Sequence, residues 1–372
     1  MTDGPVQGRF PLLVWRRPGV VWKEVCALLR RVRSASVRPL LLDGAIVLWT
    51  LITTPFALYM ASNTDRDWVL AALAGGPAAF LLRRRPYLAA AAIVAGGMVL
   101  RLSFVGLSSS DPIALTQLAA DRAFDGANPY GVQLGPDDLM YSYGPLGLIT
   151  YQAGIPGEVI ATVATSAILA WGGAWITLAL FNGWFQLLYM AVIGNNDYSV
   201  GFVTLLALVL LISRPKLAVG LLAAAIAIKP YAAAWAIPAA IFAGWGGTFV
   251  GVAVSLALWA PVLFVWGVPS FVRSALSAES SRASLRVVPS WAFADVPALR
   301  LLIVPFSLAA FWWRSWRGVL ILGSLGFLVF LGFAERAPQP YLAFLLPIAG
   351  MAIESTLPHR RSDQGAESDA AG

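Results

Sequence analysis

The sequence predicts an all-α polytopic membrane protein, and three observations carry this. First, 59% of the 372 residues are hydrophobic and 12% are charged, against about a quarter charged in soluble domains. A soluble core cannot absorb that much apolar side chain. Second, apolar blocks recur along nearly the whole chain, many close to the roughly 20 residues that cross a bilayer. In lipid, the backbone of such blocks is satisfied internally only as helix. Third, the basic residues punctuate these blocks in clusters at 15–33, 83–85, 214–216, 314–317 and 359–361, the distribution that the positive-inside rule leaves on cytoplasmic loops. The net charge of +7 therefore points to lipid headgroups. No recognition module accompanies it, so nucleic acid is not an expected partner.

Placing the basic clusters inside predicts about twelve spans, at 41–61, 66–82, 87–105, 157–181, 182–194, 198–213, 215–228, 230–245, 247–267, 297–313, 317–333 and 338–355. The even number puts both termini of a multi-pass plasma-membrane protein in the cytoplasm. Residues 1–40 read as a basic cytoplasmic arm, too long for the n-region of a signal peptide. Residues 41–86 form two N-terminal spans, 87–355 the main membrane domain, and 356–372 a disordered cytoplasmic tail. Blocks 182–194 and 215–228 are short and interrupted or flanked by Gly, Pro or Asn. Such breaks are tolerated at membrane depth only beside protein or a water-filled cavity. No internal repeat is visible, which argues against an inverted-repeat transporter.

With this topology the external side receives 108–157, 194–197, the 229–230 corner, 268–296 and 335–340, which hold most of the polar residues outside the cytoplasmic clusters. Cys26 and His359 are each the single residue of their kind. That removes internal disulfides, His-based triads and His/Cys zinc sites. A general base must then be a carboxylate, and a metal must sit on oxygen ligands.

Asp111 precedes Pro112 and opens a segment with Leu115, Leu118, Ala119 and Phe124 spaced as one face of an amphipathic, interfacial helix. Asp before Pro is a good helix cap; it is also a carboxylate at the membrane surface, able to accept a proton or hold a metal ion. Asn128-Pro129-Tyr130, Asp137-Asp138 and Tyr141-Ser142-Tyr143-Gly144-Pro145-Leu146 follow, marking turns. A loop this long is either functional or a linker with an interfacial aromatic belt. Asn195-Asn196-Asp197 reads as a pocket edge or a tight turn. Lys229 reads as a phosphate contact or a snorkelling cation. Arg273, Arg282 and Arg286 break the positive-inside trend, which calls for an anionic partner, either a lipid phosphate or Glu279, Asp295 and headgroups. Arg336 lies beside Glu335. Arg101 sits within a span, a functional hypothesis by default, with snorkelling as its alternative.

In their order, these elements resemble the GT-C superfamily of membrane glycosyltransferases, most closely the polyprenyl-phosphate-mannose-dependent mannosyltransferases of bacteria. The likeness rests on Asp111 in the first large external loop, Asn128-Pro129-Tyr130, Tyr141 to Leu146, Gly194-Asn195-Asn196-Asp197, Ile228-Lys229-Pro230 and Pro338-Gln339-Pro340-Tyr341. It covers about residues 87–350. Each piece is short; their order and common sidedness make the case. The resemblance implies a GT-C-like catalytic domain over 87–355. It also implies an inverting hexosyl or pentosyl transfer, with mannose favoured over glucose or arabinose, from a polyprenyl-phosphate donor to a glycan or glycolipid hydroxyl of the cell envelope. Asp111 would be the base, and Lys229, Arg273, Arg282, Arg286 and Arg336 would meet the donor phosphate. Asn128, Tyr130, Tyr141, Tyr143, Asn195, Asn196, Asp197, Gln339 and Tyr341 would line the sugar or acceptor pocket. A divalent cation, Mg or Mn, is the one cofactor in view, although many relatives carry paired acidic residues where this chain has Asp111 alone. The alternative from another class is a transporter or flippase of a polar or lipid-linked solute, which predicts ionisable residues buried within spans.

Overall fold

In the computed structural model, residues 39–105, 111–134, 139–190, 192, 197–282, 297–332 and 341–356 are described, with the backbone alone at 111–113, 153, 276–282 and 297–298. The expected arm 1–40 and tail 356–372 thus lie outside the described residues, except that Pro39 and Leu40 open the first helix and Thr356 closes the last.

Among the described residues the fold is helical throughout, and its one β-type pairing is the isolated bridge between Gln133 and Met140. Three helical stretches are long and apolar enough to cross a membrane: Pro39–Asn63, Gly154–Trp171 and Pro230–Trp266. Shorter apolar helices accompany them. Large apolar side chains including Leu51, Phe80, Ile160, Trp245, Phe249 and Phe264 stand on the outer surface. A water-facing monomer does not carry so much exposed apolar area; lipid is its natural cover.

The chain order begins with α1, Pro39–Asn63, a 3₁₀ segment Asp67–Ala74 leading into α2, Gly75–Leu81, and α3, Pro86–Leu102. At the rises of 3₁₀ and α-helix, residues 67–81 reach about 26 Å, close to a hydrocarbon core despite their number. The Arg66 guanidinium donates to the carbonyls of Ser103 and Val105, tying the 63–67 turn to the end of α3. Gly75 and Gly96 lie so close to the Trp49 indole that a Cβ on either would collide with it. Trp49 donates to the carbonyl of Asn182, so the first helices are packed into the bundle.

After α4, Asp111–Phe124, and the single turn α5, Gly147–Thr150, comes α6, Gly154–Trp171. The expected span 157–181 ends ten residues early. Gly173 adopts φ 69°, and the Ala174 and Gly173 amides bond back to the carbonyls of Leu169 and Ala170, a Schellman-type stop that glycine makes cheap. The return is made by α7, Trp175–Gly183, with α8, Phe185–Met190, in place of the expected 182–194.

Next come α9, Asp197–Leu210, α10, Pro215–Ile228, and α11, Ala233–Pro261. Straight, the 37 residues of Pro230–Trp266 would reach about 55 Å, nearly twice a hydrocarbon core. Gly244, at φ 70° and ψ −172°, divides them within two residues of the break expected from sequence. A Cβ on Gly246 would meet Lys216, one on Gly251 would meet Val219, and Gly220 faces Val250 and Val254. The second arm therefore runs parallel to α10, so the chain reverses at Gly244. The remainder comprises α12, Val268–Arg282, α13, Ile303–Leu308, α14, Trp316–Gly332, and α15, Tyr341–Thr356.

The two ends of the bundle are stitched separately. At one, Glu354 accepts hydrogen bonds from the backbone of Ile176 and Thr177 and from the Thr177 hydroxyl, Arg317 donates to Ser355, and the Trp316 indole donates to Leu208. At the other, the loop before α6, the start of α9 and the corner after α10 converge.

Candidate functional site

The corner begins with Pro230. The residue before a proline is pushed into extended backbone, and Lys229 sits at φ −139°, ψ 128° between α10 and the 3₁₀ turn Pro230–Ala232. This stops α10 and turns the lysine inward. Its Nζ lies 2.6 Å from Asp197 Oδ1, with both side chains 3% exposed. The same ammonium stands 4.7 Å from the centre of the Tyr143 ring and 5.7 Å from that of Tyr231, within range of attraction to both π faces. Tyr341 donates to the Tyr231 hydroxyl at 2.7 Å.

Asp197 is the first residue of α9, and that helix end is fixed from another element. Glu158 of α6, 2% exposed, accepts the Tyr198 and Ser199 amides on Oε2 at 2.9 and 3.1 Å. A carboxylate there satisfies orphan donors and meets the positive end of the helix dipole. The motif order does not point to Glu158, Tyr198 or Tyr231. For Glu158 the available signal is an acidic residue inside an apolar block.

Tyr143 is brought in by the first loop. Gly144 donates to Ile228 and Leu146 to Ala227 across 3.0 and 2.9 Å. A Cβ on Gly144 would lie 2.2 Å from the Ala227 carbonyl oxygen, so the glycine in Tyr-Ser-Tyr-Gly-Pro is what lets loop and corner touch. Gly144→Ala is expected to cost about 1–3 kcal/mol, as overpacking against backbone does, read as a lower thermal unfolding midpoint of the purified protein. A midpoint equal to wild type would mean that the loop is not held there.

Three residues expected to line a pocket hold the loop together. Asn128 accepts the Tyr130 amide and donates to the Trp266 carbonyl. Tyr130 and Tyr141, both fully buried, donate to the carbonyls of Tyr143 and Gly144. Burial pushes both phenols above their ordinary range, and the neighbouring Tyr130 and Tyr143 push Tyr141 up further; they remain neutral donors. The turn is also anchored on α12, where the Gly131 amide donates to Ser274 Oγ at 2.7 Å. The two polar loops singled out in the sequence are thereby clasped.

Arg273 is exposed on α12. For Asp111 and Arg282 only the backbone is described: Asp111 opens α4, which packs on α5 and on the 3₁₀ turn Tyr151–Ala153, and Arg282 closes α12. Asn195, Asn196, Arg286, Arg336 and Gln339 lie outside the described residues. Arg101 does not snorkel. It is 0% exposed and donates to Asn182 Oδ1 at 3.0 Å and the Phe181 carbonyl at 2.6 Å.

Among the described residues no group of three His, Cys, Asp or Glu side chains could hold a metal ion. At the corner, Glu158 Oε2 accepts two backbone amides and Asp197 Oδ1 accepts from the Lys229 ammonium. Comparison with protein-family models, with curated proteins and with solved structures gave no match.

Proposed function

We propose that this chain is a polytopic membrane glycosyltransferase of the GT-C type. It transfers a sugar, mannose by preference, from a polyprenyl-phosphate carrier to an acceptor hydroxyl at the external face, with inversion at the anomeric carbon. Asp111 removes the acceptor proton as the acceptor oxygen bonds to that carbon. The carbon's bond to the phosphate oxygen breaks, and the polyprenyl phosphate leaves with the electron pair. Cations stabilise the charge that develops on it.

One observation carries this reading. Four motif pieces far apart in sequence meet at one buried corner: Asp197 and Tyr143 stand against the Lys229 ammonium, and Tyr341 joins through its hydrogen bond to Tyr231. Each also belongs to the side that the twelve-span topology makes external. The separate stitching of the two ends and the reversals at Gly173 and Gly244 support alternating crossings and hence that topology.

A test is to reconstitute the purified protein in nanodiscs with polyprenyl-phosphate mannose, glucose or arabinose and a membrane glycolipid fraction. Release of polyprenyl phosphate, with the sugar appearing on the acceptor in inverted configuration, is expected. No release with any donor overturns the proposal.

A second reading, transport of a polar or lipid-linked solute, is favoured by Arg101. This is a fully buried guanidinium held by neutral oxygens, and intramembrane charges of that kind mark ion and solute paths. It predicts movement of an intact labelled substrate across proteoliposomes with no covalent change.

A further inference from the structure

Lys229 cannot touch a phosphate in the conformation described. Its ammonium is closed in by the Asp197 carboxylate at 2.6 Å and by the rings of Tyr143 and Tyr231. The rings are braced, Tyr143 by the docking of Gly144 and Leu146 on the corner and Tyr231 by its hydrogen bond with Tyr341. Among the described residues, the Asp197 carboxylate is the anion at charge-assisted hydrogen-bond distance from Lys229, and it shares the chemistry of a phosphate oxygen.

We propose that the Asp197 carboxylate stands where a phosphate oxygen of the donor binds, so that the Asp197–Lys229 pair is the closed, donor-free form of the phosphate site. This rests on the reading above that Lys229 meets a lipid phosphate. The first turn of α9 is held independently of the pair, by Glu158 through the amides of Tyr198 and Ser199. The carboxylate that Lys229 leaves behind is still supported by the dipole of its own helix. The competition has a chemical consequence. A sugar-linked phosphodiester carries one negative charge, and the departing monoester gains more. An ammonium that must be won from Asp197 therefore interacts more strongly with the departing phosphate than with the bound donor, the condition for lowering the barrier.

The test measures binding of a sugar-free polyprenyl monophosphate to the full chain in nanodiscs, with the matching polyprenyl alcohol as the phosphate-free arm. Asp197→Asn removes the competitor and is expected to tighten the monophosphate about tenfold while leaving the alcohol unchanged; Lys229→Gln is expected to weaken it by a similar factor. Equal or weaker binding by Asp197→Asn, with Lys229→Gln still weakened, overturns the exchange and leaves the phosphate role of Lys229 standing. Wild-type affinity in Lys229→Gln overturns that role and the exchange with it. Should Asp197→Asn fail to fold, the structure of the wild-type protein with the monophosphate decides. Lys229 Nζ more than about 4 Å from Asp197, beyond ion-pair range, is expected, and an intact pair with phosphate bound elsewhere overturns the proposal.

Discussion

Asp111→Asn is expected to lower the turnover of sugar transfer by about 10²–10⁴-fold, the usual contribution of a positioned general base. Asparagine cannot take a proton, yet it is as good a cap as aspartate. The substitution therefore separates the two roles that Asp111 could have at the start of α4. The helix begins at Asp111 itself, one residue earlier than a capping role requires, within the latitude of helix ends. With the cap retained, α4 keeps its packing on α5, and donor binding should stay within about twofold of wild type, a few tenths of a kcal/mol. Single-turnover transfer and equilibrium donor binding, measured on one preparation, check both halves. Full turnover would remove Asp111 from the chemistry. Lost turnover with lost donor binding would make it part of the fold of the loop.

The fold class was legible because lipid leaves few solutions. A chain that is 59% hydrophobic must satisfy its backbone within each apolar block, and helices follow. Break positions were less legible. The reversal at Gly244 follows a long apolar block and shows in the Gly-Trp-Gly-Gly run. The stop at Gly172-Gly173 has apolar residues on both sides, and hydropathy alone runs through it. Only the left-handed backbone at Gly173 makes it a terminus.

At the site, the order of the motif pieces pointed to Tyr143, Asp197, Lys229 and Tyr341, and these do lie together. Their pairing was not legible. From sequence, Lys229 is a phosphate contact or a snorkelling cation and Asp197 a pocket edge or part of a tight turn, while the structure joins them as an ion pair. Whether a loop residue faces a ligand or braces its own loop depends on partners distant in sequence. Asn128 reaches Trp266 and Gly131 reaches Ser274, contacts that no local spacing reports. Glu158 was missed for the same reason, since its partners at 198 and 199 lie about forty residues away.

Lys229→Ala is expected to be the most damaging single substitution, because two losses coincide. Breaking a buried ion pair by removing one partner costs about 3–5 kcal/mol; here the charge that loses its ammonium is Asp197, 3% exposed. The second loss is electrostatic stabilisation of the leaving phosphate, about 10²-fold in turnover for one donor. The double substitution Lys229→Ala with Asp197→Ala separates them. Removing both charges leaves no buried carboxylate without its ammonium, so thermal stability should return most of the way to wild type, a coupling that a double-mutant cycle measures directly. Turnover should stay low in the double variant, because nothing then meets the phosphate. Should turnover recover together with stability, Lys229 holds the corner in shape and the phosphate is met elsewhere, with Arg273 and its neighbours on the clasped α12 next in line.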